Sequence, residues 1–319
     1  MTFEYQRATG SEVTLDRTTM ALAGGTDLLP LHKVGLVSPD LVVDLKTSDL
    51  PSSIERTDGG WTIGALATLS DVEGHAELRR DLPAVVQAVD QAATRQLRNR
   101  ATVGGNLLQR PRCRYYRDET ISCWFGGGDG CPARTGRNEH HAIFDTDRAT
   151  RPCVAVQPSD LASALVAVGA IVSVRGATDR SVRVEELLVP PTEERRALHG
   201  LGHDDIIEAV TIPDGPGRRS SYVKAMDRAA WAFALAGIAA VVEVDPDDVV
   251  TEARIVASGV ASVPWRLALV EEALIGRAFD AGAIDEASAH ADAGATSLAE
   301  NGYKRDLLRG LTRRALQAI

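Results

Sequence analysis

Between Thr19 and Leu45 the stretch "TMALAGGTDLLPLHKVGLVSPDLVVDL" sets two apolar runs around a glycine turn. This pattern reads as strand, turn, short helix, loop and strand, with "AGGTD" as the turn and "LLPLHK" as the helix. At 61–73, "WTIGALATLSDVE" predicts a strand followed by a helix that Thr68 to Asp71 open in N-cap fashion. At 82–102, apolar residues at helical spacing in "LPAVVQAVDQAATRQLRNRAT" predict one helix ending near Arg98 and delivering the chain into "VGGNLLQ". "SDLASALVAVGAIVSVRG" then reads as a helix and a buried strand, and "HDDIIEAVTIP" at 203–213 as another strand.

Between these blocks, from about 111 to 157, periodicity disappears in a segment rich in Gly, Arg and Asp that includes "GGGDG". A loop of this length without periodic structure is uncommon and usually functional or disordered. The short polar stretch "GPGRRS" at 215–220 is the best boundary candidate. It divides a first domain, 1–214, from a second, 220–319. Three strand-like runs follow it, "SYVKAM", "FALAGIAAVVEV" and "VVTEARIVASGV", and then helical patterns from about Leu267 to Ile319. Strands followed by helices predict a small α+β domain. No internal repeat or low-complexity tract is visible.

Composition changes this picture little. The 319 residues are 44% apolar and 25% charged, an ordinary globular balance long enough for two domains. Such a chain buries a core without metal or disulfide staples, so a metal-like constellation asks for a functional reading. A net charge of −9 argues against nucleic acid as the main partner, although residues 95–117 form a local basic patch. The start "MTFEYQRATGSE" lacks the pattern of a signal peptide, and no apolar run approaches the roughly 20 residues of a membrane span. A cytoplasmic protein is the expectation, with periplasmic export on a partner's signal peptide as the alternative.

Two glycine turns, "AGGTDLL" (23–29) and "TVGGNLL" (102–108), are the first candidate chemistry. Glycine admits positive φ and close approach of a ligand, and successive amides at such turns bind anions. Neither turn has the spacing of a dinucleotide-binding or P-loop fingerprint, so any phosphate is held by another architecture. The second candidate is the cysteines. All four, Cys113, Cys123, Cys131 and Cys153, fall in the aperiodic segment, separated by nine, seven and twenty-one residues. That spacing fits neither a zinc finger nor a standard ferredoxin, and unligated thiols, zinc and iron–sulfur all stay open. His140 and His141 share the loop and read as solvated or as further ligands. "QPSDL" places Asp160 at a helix mouth, where an N-cap is the plain reading. Lys224 sits in a strand-like apolar run, usually an outward position. No Ser-His-Asp, H-E-x-x-H or paired-carboxylate motif is present.

Taken together and in order, "AGGTDLLPLHK", "TVGGNLLQRPRC", "PSDL" and "YVKAMDRAAWAFALAG" resemble the FAD-binding medium subunits of the molybdenum hydroxylases. That family includes xanthine dehydrogenase, carbon monoxide dehydrogenase and bacterial aldehyde oxidoreductases, and the resemblance spans essentially the whole chain. It implies an α+β fold, with a vanillyl-alcohol-oxidase-like FAD-binding domain of two subdomains. A C-terminal α+β domain with a three-stranded antiparallel sheet follows. Carried over by position, the first turn contributes Ala23, Gly24, Gly25, Thr26, Asp27 and Leu28 to FAD. The second contributes Ala101, Thr102, Gly105 and Asn106. Asp160 matches an aspartate that holds a cofactor hydroxyl, Lys224 a lysine near the isoalloxazine, and Ile207 an apolar contact on the ring.

"NLLQRPRC" and the cysteines after it resemble the subset seen in periplasmic aldehyde oxidoreductase and hydroxybenzoyl-CoA reductase. In that subset an insertion holds an additional [4Fe–4S] cluster, here through Cys113, Cys123, Cys131 and Cys153. The resemblance implies an electron-transfer subunit without catalytic residues of its own, partnered by a molybdenum-cofactor large subunit and a [2Fe–2S] small subunit. It would pass electrons from aldehyde or N-heterocycle oxidation through FAD to an external acceptor. Two rival readings are a stand-alone flavin oxidase with its own substrate site and an interaction module whose cysteines bind structural zinc.

Overall fold

A computed structural model describes residues 2–10, 13, 15–16 and 18–319. Among these residues the chain forms three sheets. The first is a small parallel sheet of β1 (Glu4–Arg7), β2 (Thr19–Leu22) and β3 (Leu41–Asp44), with β3 in the middle. Parallel neighbours need crossovers, and the β2-to-β3 crossover carries the first glycine turn and helix Leu28–Lys33.

The second sheet is antiparallel and has five strands in the order β4-β5-β8-β6-β7. Its members are β4 (Ile54–Thr57), β5 (Gly60–Gly64), β6 (Ile171–Arg175), β7 (Arg180–Arg183) and β8 (Ile206–Pro213). These two sheets are the two halves of the first domain. In β8 the burial alternates little, because the central strand is covered on both faces. Helices Pro83–Asp90 and Asp160–Ala167 cover the core here, and every residue of the latter is buried.

After Asp214–Gly217 the chain enters the third sheet, antiparallel in the order β12-β11-β10-β9. Three long strands were expected, and they are β9 (Arg218–Ala225), β10 (Ala236–Val244) and β11 (Val250–Ser258). A fourth, two-residue strand, β12 (Trp265–Arg266), adds to the edge by pairing with Val256 and Ala257. The unbroken apolar run of β10 has a direct cause. Ala239 and Val241 pack toward the first domain, and Ala236, Ile238, Ala240 and Val242 toward helices Ala268–Leu274 and Lys304–Gln317. A strand buried on both faces shows no alternation.

Residues 82–102 depart from the single helix that the spacing predicts. Helix Pro83–Asp90 ends, Ala93 takes a positive φ of 52°, and helix Arg95–Arg98 restarts with Thr94 accepting from the Leu97 amide. A Thr N-cap competes well with continued helix, and here it wins. The Thr68 cap is as expected and forms a full capping box with Asp71.

Segment 111–157 contains only two short 3-10 turns, Trp124–Gly126 and Pro132–Arg134. It is nonetheless ordered by its contacts. The Ile143 and Phe144 amides donate to the Val260 carbonyl, Phe144 stacks on Trp265 at 5.1 Å, and Asn138 exchanges hydrogen bonds with Glu300. Among the described residues no helix is long and apolar enough to cross a membrane.

The tightest of these tethers is Lys304, fully buried, whose Nζ donates to the carbonyls of His141 (3.0 Å) and Gly259 (2.7 Å). Burial pushes its ammonium down from its ordinary 10.5 to about 7. Between those two values the unfolded chain binds the proton more tightly than the folded one, so this group makes stability rise with pH across that window. Below it both states are protonated and the contribution is flat. Lys304→Met removes the slope and leaves the Gly259 carbonyl unpaired, at about 1–3 kcal/mol, while the His141 carbonyl keeps the Asn301 amide. The thermal midpoint of the variant minus that of the parent should therefore fall steadily as pH is raised through the window. A pH-independent difference would contradict the assignment.

Candidate functional site

The two glycine turns meet backbone to backbone. A Cβ placed on Gly24 would lie 1.9 Å from the Arg100 carbonyl oxygen and 3.0 Å from the Ala101 Cα, so only glycine permits this approach. Gly25 follows in the left-handed region at φ 73°, and the Leu29 amide closes the turn onto its carbonyl. The second turn is held from the other side. The Val103 and Gly104 amides donate to the carbonyls of Ala67 and Ala65, and Thr102 caps helix Val103–Leu107 through the Gly105 amide.

Asp27 does not cap its helix. Its carboxylate takes the Arg110 amide (2.8 Å), the Arg117 guanidinium (2.8 Å) and the Arg112 guanidinium (2.9 Å). The first turn is thereby fastened to the chain that leads from the second turn into the cysteine loop. Burial lowers Arg112 to about 10, the Asp27 charge opposing the shift.

Asp160 is not the N-cap. Ser159 has that role, accepting from the Ala162 amide, and its hydroxyl also donates to Asn106 Oδ1, tying the second turn to this helix. Asp160, one residue further in, is free to act as an acceptor. Its two oxygens receive the Tyr222 hydroxyl and the Lys224 ammonium, both at 2.7 Å. Lys224 is buried rather than outward, its side chain 1% exposed against 4% for Asp160, and it also donates to the Gln91 carbonyl. Burial, then the neighbouring Asp160 charge, raises the Tyr222 phenol well above its usual range. Removing one member of a buried pair of this kind costs about 3–5 kcal/mol.

Two cavities flank the turns. The smaller, ≈ 280 Å³, is lined by Ala23, Gly24, Gly25, Asp27, Leu28, Thr102, Gly105 and Ile207. The larger, ≈ 600 Å³, is lined by Ala101, Asn106, Asp160, Lys224, Arg112 and Cys113. Thr26 and Gln109 belong to both walls. All residues expected at the cofactor are therefore gathered at these two cavities. Ile207 and Lys224, both matched to the ring, are not brought together: each lines a different one.

The four cysteines share one neighbourhood, each close enough to feel the charge of another, and none is in a disulfide. The Ala155 amide donates to Cys153 Sγ at 3.4 Å. Burial raises Cys113 to about 11 and also raises Cys123. Cys153 hydrogen-bonds Cys131, which lowers Cys131 and raises Cys153. Cys113 Sγ also lies 3.2 Å from His141 Nε2, and burial drops His141 to about 4. His140 is half exposed beside Glu139. Among the described residues no group of three or more His, Cys, Asp or Glu side chains is arranged to hold a metal ion.

Comparison with known proteins supplies the family. The FAD binding domain in molybdopterin dehydrogenase matches residues 6–215, and the CO dehydrogenase flavoprotein C-terminal domain matches residues 221–319. The chain belongs to this flavoprotein family. It is 36% identical over 275 residues, 83% of each chain, to the aldehyde oxidoreductase FAD-binding subunit PaoB of Escherichia coli K12. The glyceraldehyde dehydrogenase medium chain of Sulfolobus acidocaldarius is 21% identical over 99% of this chain and 98% of its own. Of solved structures, a chain of reconstituted CO dehydrogenase from Oligotropha carboxidovorans superposes with a TM-score of 0.75 at 22% identity. The match covers 99% of this chain and 97% of that one, and it establishes the fold.

The residues present suit the flavin that this family binds. Nine buried side-chain N or O atoms lack a partner among the described residues, and four of them belong to residues that line the two cavities: Arg112 Nε, His141 Nδ1, Gln157 Nε2 and His199 Nδ1. Buried polar atoms are nearly always paired, so such a concentration marks where a polar ligand belongs. Asp160 retains lone pairs and Lys224 a third proton for that ligand.

Sequence reasoning missed Tyr222, Ser159 and the orphaned Arg112 and His199. Tyr222 was within reach, since it lies two positions before Lys224 on the same face of β9. Nothing local marks the others.

The turns give a paired test. Gly24→Ala should lower the thermal midpoint, at a cost of roughly 1–3 kcal/mol or more from overpacking, and strip the purified protein of flavin. Gly105→Ala adds a Cβ that meets only the Thr102 hydroxyl, at 3.0 Å, on the cavity wall. It should reduce flavin content with little loss of stability, and equal midpoints for the two variants would contradict this geometry.

Proposed function

We propose that this chain is the FAD-binding electron-transfer subunit of a molybdenum hydroxylase acting on an aldehyde or an N-heterocycle. It takes electrons from the [2Fe–2S] centres of a small subunit and passes them through FAD to an external acceptor. A large subunit carrying the molybdenum cofactor completes the complex. The observation that carries this reading is a pair of cavities joined at the paired glycine turns, with four lining residues that bear orphaned buried polar atoms. The Escherichia coli relative, a FAD-binding subunit of an aldehyde oxidoreductase, supports the aldehyde side of the proposal.

Bound FAD supplies the capacity to accept electrons singly and release them in pairs. The chain's own residues bind and orient. Amides of the first turn would face the diphosphate, those of the second being engaged by Ala65, Ala67 and Thr102, while Asp160 would accept a cofactor hydroxyl and Lys224 would hold a positive charge at the same wall. The Asp160–Lys224–Tyr222 group is buried and mutually hydrogen-bonded, so it presents fixed charges that need no reorganisation.

We propose further that Cys113, Cys123, Cys131 and Cys153 hold a [4Fe–4S] cluster. Four free thiols, of which Cys113, Cys123 and Cys153 pack among Leu31, Val37, Tyr116, Trp124 and Phe125, form a donor set of the required chemistry.

An anaerobic absorption spectrum of the purified protein, with iron and acid-labile sulfide assays, tests both parts. Flavin bands with about four irons and four sulfides per chain are expected, and Cys131→Ser should lose iron while keeping flavin. Flavin without iron removes the cluster alone, whereas zinc without flavin overturns the whole proposal.

A further inference from the structure

We propose that Arg112 sets the charge of the larger cavity, presenting its Nε–H to the electron-rich part of the bound cofactor while bracing the cysteine loop against it. This rests on the FAD reading above.

Arg112 stands between Gln109, which lines both cavities, and Cys113, the first thiol of the loop. Three contacts fix its guanidinium. Nη2 bonds the Asp27 carboxylate at 2.9 Å and Gln109 Oε1 at 3.2 Å, and the plane lies 5.0 Å from the Phe233 ring centroid. Phe233 belongs to the segment following β9, so this one side chain touches the first glycine turn, the second turn's helix exit and the C-terminal domain. What these contacts leave is Nε, a buried donor without a partner, on a residue that lines the cavity together with Asn106, Asp160 and Lys224. A structure keeps a buried donor unpaired where something else brings the acceptor.

Arg117, the other guanidinium on Asp27, has no such freedom, because its Nε donates to the Pro111 carbonyl and its Nη2 to Asp27 and the Arg110 carbonyl. Four cations line the larger cavity, of which Arg114 and Arg228 are exposed, and the charge balance then distinguishes Arg112 from Lys224. Lys224 is matched one to one by Asp160. Asp27 is shared by Arg112 and Arg117, so that group carries a net positive charge. In a cavity of low polarity, a net cation stabilises the negative charge that a flavin gains on reduction and raises its reduction potential. An arginine does this in a defined orientation, since its planar fork is held by Asp27 and its face by Phe233.

The test compares Arg112→Gln and Arg112→Lys with the parent chain, reading FAD affinity by fluorescence titration and the flavin midpoint potential by anaerobic redox titration. Arg112→Gln should bind FAD roughly ten- to a hundredfold more weakly, the range for one charge-assisted hydrogen bond. Its flavin potential should be lower than the parent's. Arg112→Lys should restore the potential, because the charge returns, and recover only part of the affinity, because the fork does not. An unshifted potential in Arg112→Gln overturns the proposal, as does a lysine variant whose potential stays at the glutamine value. If the glutamine variant does not fold, the lysine variant decides: parental potential with weakened FAD binding supports the proposal, and parental affinity overturns it. A parent chain that binds no flavin overturns the FAD reading as well, whereas failure of Arg112 alone leaves that reading standing.

Discussion

The contact of Gly24 with the Arg100 carbonyl is the constraint on which the site depends. It sets the first glycine turn against the second at a distance that no side chain permits. The two cavities lie on either side of that seam. Every other feature of the site is an attachment that keeps the seam in register. Asp27 ties the first turn to the chain leaving the second, and Asn106 ties the second turn to Ser159 and so to the helix that begins with Asp160. Lys224 and Tyr222 then carry the C-terminal domain onto that same helix. The site is assembled from residues far apart in sequence, and its rigidity comes from paired charges in low-polarity surroundings.

The cysteine loop is part of the same construction. It has almost no regular structure, yet it is clamped at its start by the arginines on Asp27 and further along by Lys304, Asn301 and Glu300 of the C-terminal domain. Cys113 and His141 form part of the wall of the larger cavity. A loop that reaches from the paired glycine turns to the C-terminal helices couples the two domains, and its order follows from those anchors.

Much of this was legible in the residues alone, for identifiable reasons. Strands and helices with clear periodicity, such as Ile206–Pro213 and Asp160–Ala167, fell where the apolar pattern put them. The break at Ala93 was hidden because helical spacing continues across it, and only the Thr94 cap marks the restart. Asp160 was recognisable as a position, but its neighbour Ser159 takes the cap and changes what Asp160 can do. Lys224 looked outward because an apolar strand usually ejects a lysine. The carboxylate that buries it lies 64 residues away. Arg112 was one arginine in an arginine-rich run, and only the fold shows that its neighbours are satisfied elsewhere. Long-range pairing is the information that a one-dimensional pattern lacks.

In the proposed site one cofactor spans both cavities across the glycine seam. Titration of the flavin-free chain with FAD, FMN and riboflavin, followed by flavin fluorescence, tests it most directly. FAD should bind at least roughly a hundredfold more tightly than FMN, because a ligand without the adenylate occupies only one of the two cavities. FMN binding as tightly as FAD, or no binding of any flavin, would contradict the account.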